Sequence, residues 1–290
     1  LDPLAAAESI HAVVLGGGSA YGLDAAGGVM RCLEEKGIGL TVLPNVIVPL
    51  VCQSDIFDLG VGSSTVRPDA AMGYAACSAA FEGESGNYQD GNFGAGCGAT
   101  VGKVAGPSFA MKTGIGSAAI EVGDLQVGAI VVLNACGDIY DSRTGAKIAG
   151  ARTPHDCSQL MYAALEAPKE AHKLAAPSTA DDTNASAQNG TDNPGMATNT
   201  TIGAIVTNAK LTKSQLCKLA GMAHDGYARA IRPVHTSMDG DSIYGISVGS
   251  VEAPLDIIGS LAADVMEQAI RTACYSASAA FDLPSAKKSE

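Results

Sequence analysis

Two adjacent threonines, Thr200 and Thr201, stand at the border between two unlike stretches of chain. Upstream, residues 173–198 carry Pro177, Ser178, Asp181, Asp182, Asn184, Gln188, Asn189, Asp192 and Pro194. That composition buries too little apolar surface to offset the entropy of ordering, so the stretch reads as a flexible, exposed leader. Downstream, Thr201 to Thr207 is β-branched and apolar and reads as a buried strand. A hydroxyl at the mouth of a core strand, behind such a leader, suits an enzyme that cuts its own backbone. The cut would free an α-amino group, whose unperturbed pKa is about 7.7–8.0, and that amine could act as base for the hydroxyl beside it. The plainer reading is a good strand residue at a loop border. Asn199-Thr200-Thr201 also fits the glycosylation acceptor pattern, as do Asn184-Ala185-Ser186 and Asn189-Gly190-Thr191.

Further polar residues could complete such a site. Lys103 closes the glycine-rich run Gly94-Ala95-Gly96-Cys97-Gly98-Ala99-Thr100-Val101-Gly102. This is not a phosphate loop, because position 97 is Cys and Val104 follows the lysine where Ser or Thr would be needed. Lys103 is then either a functional cation or a surface residue. Asn134 ends the apolar run Val127–Leu133, where its amide needs partners: it is a turn residue or a polar group aimed at a site. Asp239-Gly240-Asp241 is a turn ahead of a strand, or a pair of carboxylates able to hold an ammonium group. Gly16-Gly17-Gly18-Ser19 follows a strand but lacks the G-x-G-x-x-G spacing and the later acidic partner of a dinucleotide site. Close backbone approach explains those glycines better.

The 290 residues, 47% hydrophobic with 35 glycines, suffice for one substantial core. A formal net charge of -12, with no basic stripe, argues against nucleic acid. None of the eight cysteines forms a C-x-x-C pair, which points to free, buried thiols in a reducing compartment, the cytoplasm. The five scattered histidines show no ligand spacing, so neither metal nor cofactor is expected. No run of 18 apolar residues suggests a membrane span. The chain opens at Leu1 rather than Met, which reads as an N-terminal truncation.

The elements around these residues follow from periodicity. His11–Leu15 reads as a strand, followed by a helix through Leu23, Ala26, Met30 and Leu33 that Ser19 would cap and Gly37 would end. Residues 40–51 are strand-rich, broken at Pro44 and Pro49, and Pro68 opens a helix through Met72, Ala76 and Ala79. Residues 114–135 read as a hairpin turning at Gly123-Asp124, and Cys157 to Ala167 as a short helix. Thr212-x-x-Gln215 is a capping box for a helix through Leu216, Leu219, Ala223 and Tyr227. A strand runs to Val248, and Pro254 opens the last helix, with Ile258, Leu261, Val265 and Ala269 on one face.

The motifs together resemble one family. They are Ala12-Val13-Val14-Leu15-Gly16-Gly17-Gly18-Ser19, Phe57-Asp58-Leu59, Gly94 through Lys103, Asn199-Thr200-Thr201-Ile202-Gly203, and Met222-Ala223-His224-Asp225-Gly226, continuing to His235-Thr236. The chain is similar over nearly its whole length to the DmpA-type self-processing amidohydrolases, which include D-stereospecific and β-peptidyl aminopeptidases and the nylon-oligomer endo-hydrolase. The resemblance implies a single α/β domain, a four-layer α/β/β/α sandwich like that of N-terminal-nucleophile hydrolases. It implies cleavage at Asn199-Thr200 into an α chain of residues 1–199 and a β chain of residues 200–290, associated as a tetramer of αβ units. Thr200 would be the nucleophile, with Lys103, Asn134, Asp239 and Asp241 as the other functional residues. The Asn134 amide and a backbone N–H would stabilise the oxyanion, and Lys103 would lower the α-amine pKa. Thr at 200 with Asp at 239 and 241, in place of the Ser, Ser and Glu of the aminopeptidase branch, points to the nylon-hydrolase side. The family's pocket also carries an aromatic hydroxyl, where Phe57 is the candidate without one.

The implied function is hydrolysis of a small amide or peptide by an N-terminal threonine. Two other readings fit some of the residues. An ornithine-acetyltransferase-like enzyme would pass the acyl group to an amine instead of water. A non-catalytic binding domain would cradle an anion on the Gly16–Gly18 turn.

Overall fold

The computed structural model describes residues 2–82, 89–166 and 199–287, so the leader at 173–198 lies outside the described residues. Strand β1 (Ala12–Gly16) runs through a 3-10 turn at Ser19–Asp24 into helix α1 (Ala25–Glu35). Gly37, at φ 71, follows its end as expected. Ser19 does not cap the helix; it sits at φ 55 and makes no capping bond. The buried face differs in part from the expected one: Leu33 is buried as expected, but Leu23 and Met30 are exposed, and Val29 and Cys32 are buried in their stead. The cause is helix α2 (Ala70–Glu82). A Cβ on Gly28 would come 1.8 Å from the Ala70 carbonyl oxygen, and one on Gly73 2.0 Å from that of Ala25. The two helices cross backbone to backbone, and the glycines rather than the leucine spacing select the face. Asp69, not Pro68, caps α2, accepting the Met72 N–H at 2.8 Å.

The expected break at Pro44 becomes a hairpin of β2 (Leu40–Leu43) and β3 (Val46–Val48), and β4 (Val51–Asp55) pairs in parallel with β1. Short β5 (Thr100–Val101) and β6 (Met111–Lys112) pair with each other. The hairpin of β7 (Ile115–Val122) and β8 (Leu125–Val132) turns at Gly123-Asp124 as predicted. β9 (Asp138–Tyr140), β10 (Lys147–Ala149) and α3 (Cys157–Glu166) follow. The last part is β11 (Ile202–Ala209), α4 (Lys213–Ala230), β12 (Ile231–Arg232), β13 (Ser242–Val251) and α5 (Leu255–Tyr275). The capping box of α4 forms in full, with the Thr212 side chain on the Gln215 N–H and the Gln215 side chain on the Thr212 N–H.

The central sheet has the order β13-β11-β8-β7. Leu125, Val127, Ala129 and Val131 of β8 alternate onto one face and meet Leu219, Ala223 and Tyr227 of α4 and Val265, Met266 and Ile270 of α5. On the other face Val132 and Ile202 pack with Ile56, Ala95 and Ala99, and beyond them β1 and β4 pack against α1 and α2. The chain is thus a mixed α/β protein. No described helix is long and apolar enough to cross a membrane.

The register of this sheet positions the site. β11 is antiparallel to β8 with Ile202 opposite Val132, and parallel to β13 with Ile202 opposite Ser242. Continued two residues toward the start of β11, these pairings set Thr200 between Asn134 and Gly240.

Candidate active site

Thr200 is half-buried at the head of β11, and its peptide bond to Asn199 is gripped from both neighbouring strands. On the β8 side, the Thr200 N–H donates to the Asn134 carbonyl at 3.0 Å. On the β13 side, the Gly240 N–H donates to the Asn199 carbonyl at 3.1 Å, and Asn199 forms an isolated parallel bridge with Asp239. The Thr200 hydroxyl lies 2.5 Å from that same Asn199 oxygen.

Lys103 reaches the site because the glycine-rich run lays its backbone against the segment after β8. The Gly102 N–H bonds Gly137 O at 3.0 Å and the Lys103 N–H bonds Cys136 O at 2.9 Å. Gly102 has φ 75, and a Cβ there would meet the Ala151 nitrogen at 2.0 Å, so this approach requires glycine. The Lys103 ammonium then donates to Asn134 twice, to Oδ1 at 2.8 Å and to the carbonyl at 3.1 Å. Burial pushes its pKa down to about 7, against the upward pull of Cys136, Asp239, Asp241 and Asp58.

Asn134 is fully buried and is not a loose turn residue. Its Oδ1 also accepts the Thr100 N–H at 3.1 Å, and its Nδ2 donates to the Phe57 carbonyl at 3.1 Å. Its amide thus ties together Thr100, Lys103 and Phe57, and the Gly240 N–H is aimed at the carbonyl beside Thr200.

Asp239 and Asp241 make different contacts. Oδ1 of Asp241 accepts the Thr201 N–H at 2.8 Å and Oδ2 meets His235 Nδ1 at 2.9 Å. Burial raises the Asp241 pKa, and the charge of Asp239 raises it further. Asp239 Oδ2 accepts the N–H and hydroxyl of Thr236 at 2.8 and 2.7 Å, whereas its Oδ1 is buried without a hydrogen-bond partner.

Two cavities flank the bond. One of about 750 Å³ is lined by Lys103, Cys136, Asn199, Met238, Phe57 and Asp58 among others. The second, of about 300 Å³, is lined by Thr200, Gly240, Ser54, Asp55 and Phe57. Asp55 Oδ2 is closed to solvent and without a hydrogen-bond partner, and burial raises its pKa. Phe57 touches both cavities and brings no hydroxyl. The Gly16–Gly18 turn is already occupied from within: its Gly18 N–H donates to Asp58 Oδ1 at 2.7 Å, so a carboxylate of the chain stands where an external anion would bind.

Sequence reasoning missed Gly240, Asp55 and His235 as members of this site. Gly240 is legible only through the register, Asp55 only through the parallel pairing of β4 with β1, and His235 only through its contact with Asp241.

The model of peptidase family S58 matches residues 1–283. The chain belongs to peptidase family S58. The resemblance carried by the motifs therefore holds. An uncharacterized aminopeptidase of Mycobacterium leprae is 39% identical over 258 residues, covering 87% of this chain and 64% of that protein. A 6-aminohexanoate-oligomer endohydrolase of Paenarthrobacter ureafaciens is 31% identical over 284 residues, covering 90% of this chain and 70% of that protein. Among solved structures, the L-aminopeptidase D-Ala-esterase/amidase of Ochrobactrum anthropi, described as a variant of the Ntn hydrolase fold, aligns with a TM-score of 0.50 at 18% identity. That alignment covers 88% of this chain and 64% of the other, so the S58 chain described here spans less than two thirds of both the mycobacterial and the Ochrobactrum proteins.

Proposed function

We propose that this S58 chain is an amide hydrolase that first cuts its own Asn199–Thr200 bond and then uses Thr200 as an N-terminal nucleophile. The carrying observation is the Asn199 carbonyl, which receives the Gly240 N–H at 3.1 Å with the Thr200 hydroxyl 2.5 Å from the same oxygen. In the self-cut, Thr200 Oγ1 bonds to the Asn199 carbonyl carbon and the negative charge on the oxygen meets the Gly240 N–H. The C–N bond then breaks and the hydroxyl proton ends on the Thr200 nitrogen. The resulting ester is hydrolysed by water, which releases the Asn199 carboxyl.

The new amine stays where its N–H was, on the Asn134 carbonyl. Lys103 Nζ donates to that same oxygen at 3.1 Å, so two amines share one acceptor. Each disfavours the other's charge, and the neutral α-amine is the form that can take the proton from Thr200 Oγ1 when the hydroxyl attacks a substrate amide. Asp239 Oδ1, without a partner, is suited to orient that amine. The attack forms an acyl-enzyme and releases the leaving amine with the transferred proton, and water then frees the acid.

Two relatives are an aminopeptidase and an endohydrolase of 6-aminohexanoate oligomers by name, and substrates of both kinds can carry a free ammonium. The Asp55 side chain, among the lining of the cavity beside Thr200, suits that charge. The substrate class is thus a short amide with a cationic amine near the scissile bond. In this reading the products 1–199 and 200–290 stay together as one α/β/β/α unit, and the units assemble as a tetramer.

Intact mass and N-terminal sequencing of the purified chain test the proposal. The expected result is two chains, the smaller beginning Thr-Thr-Ile-Gly, and a single chain for Thr200→Ala. A wild-type chain that stays whole on long incubation, or a Thr200→Ala chain that is cut, counts against it.

A further inference from the structure

His235 contacts none of the reacting groups assigned above, yet it is connected to the nucleophile. Its Nδ1 lies 2.9 Å from Asp241 Oδ2 and its Nε2 lies 3.2 Å from His224 Nδ1 on α4. The other oxygen of Asp241 accepts the Thr201 N–H at 2.8 Å. Three hydrogen bonds thus run from α4 to the peptide that joins Thr200 to Thr201. The Asp241 side chain is only 6% exposed, so each of its oxygens has one defined partner from the protein.

The ring of His235 is itself held in place. Tyr227, fully buried, lies 5.9 Å away between ring centroids and His224 lies 4.8 Å away. The backbone of His235 is left-handed, at φ 54. A carboxylate rotates easily about its last side-chain bond. With Asp239 nearby, an Asp241 released from His235 would gain by turning away or taking a proton, and either change weakens its hold on Thr201.

We propose that His235 is a positioning residue for Thr200: its Nδ1–H fixes Asp241, and Asp241 fixes the head of β11 through the Thr201 N–H. The proposal rests on Thr200 being the nucleophile. The chemistry required is one N–H donor at the Nδ1 place, and amide side chains can separate that from bulk. In His235→Asn the amide nitrogen falls near the Nδ1 place, and asparagine tolerates a positive φ. In His235→Gln the amide reaches the Nε2 place instead, toward His224 and away from Asp241.

Two measurements test this. In the Thr200→Ala chain, which performs no chemistry, nitrogen NMR of labelled histidine should show a proton on His235 Nδ1 at neutral pH, with a resonance that shifts on adding Asp241→Asn. A ring protonated on Nε2 alone overturns the proposal. In the active chain, His235→Gln and His235→Ala should lose on the order of 10²-fold in kcat at unchanged KM, the scale of a small misplacement of reacting groups. His235→Asn should recover most of that loss, and all three variants should unfold near the wild-type temperature. Wild-type kcat in His235→Gln, or a loss in His235→Asn as deep as in His235→Ala, overturns it. If the wild-type chain neither cuts itself nor turns over amides, the assignment of Thr200 fails, and the NMR measurement still decides the role of His235.

Discussion

The Gly240 N–H points at the Asn199 carbonyl oxygen from 3.1 Å, and Gly240 also stands against the Thr200 side chain: a Cβ on it would come 3.0 Å from Oγ1 and 3.4 Å from Cγ2. One residue therefore supplies the donor and leaves room for the hydroxyl. Gly240→Ala should displace the hydroxyl by a few tenths of an ångström. Self-cleavage, followed by mass over time, is expected to slow on the order of 10²-fold while the thermal midpoint stays close to wild type. An unslowed cut would remove Gly240 from the mechanism.

Lys103 predicts a pH signature for the mature enzyme. Two amines on one carbonyl titrate as a pair, and each positive charge disfavours the other. Burial already holds Lys103 at about 7, below the ordinary α-amine range of about 7.7–8.0, so the lysine gives up its proton first and the rise of kcat/KM with pH should have its midpoint within that range. Lys103→Met should leave the midpoint there. A midpoint that moves up in the variant would mean that Lys103 stays charged while the α-amine titrates.

Asp55 predicts a specificity effect. Asp55→Asn keeps the size but removes the negative charge from the cavity beside Thr200. With a substrate that bears an ammonium near the scissile bond, KM should rise about tenfold or more, the scale of a lost charge-assisted hydrogen bond of about 1.5–3 kcal/mol. With an acetylated, uncharged analogue the two proteins should behave alike. Equal KM values on the charged substrate would place ammonium recognition elsewhere.

Lys112 is a matter of stability rather than turnover. It is fully buried, and its ammonium donates to the carbonyls of Gly96 at 2.6 Å, Ala99 at 3.2 Å and Thr113. It pins the turn that carries Lys103. Burial lowers its pKa from 10.5 to about 8. Between those values the unfolded chain holds more protons than the folded one, so stability rises with pH across the window. Lys112→Met leaves carbonyls short of a donor, at about 1–3 kcal/mol for each one left bare, and lacks that slope. Denaturant titrations should show the wild-type advantage widening from pH 8 to 10.5. A constant difference would refute the assignment.

Much of the site was legible in the sequence because its members lie on local patterns. Thr200 stands out by the change of composition at the border, Lys103 by the glycines before it, and Asp239 and Asp241 by their turn. Their roles were less legible, since a role depends on partners far along the chain. Asn134 was expected to stabilise an oxyanion together with a backbone N–H, but its ties to Thr100, Lys103 and Phe57, and the Gly240 N–H on the Asn199 carbonyl, are set by partners far along the chain. Asp241 was expected, with Asp239, to hold an ammonium, and its partners in the fold, Thr201 and His235, could not be read from the turn itself. The same limit applies to the fold. Periodicity located α1, but its buried face was set by the contact of Gly28 with Ala70 on another helix. Lys112, in a short stretch beside Thr113, gave no sign that three carbonyls would enclose it.

The sheet order β13-β11-β8-β7 has a consequence for the molecule after the cut. The first two strands would belong to one fragment and the last two to the other, joined by the six β11–β8 register pairs from Ile202↔Val132 to Thr207↔Val127. While the chain is whole, folding is unimolecular and the unfolding midpoint is independent of protein concentration. Once it is cut, global unfolding releases two pieces, and refolding requires them to meet. The same native contacts would then yield a stability that falls on dilution, and the proposed cut would turn a one-chain fold into one held together only by association of its two pieces.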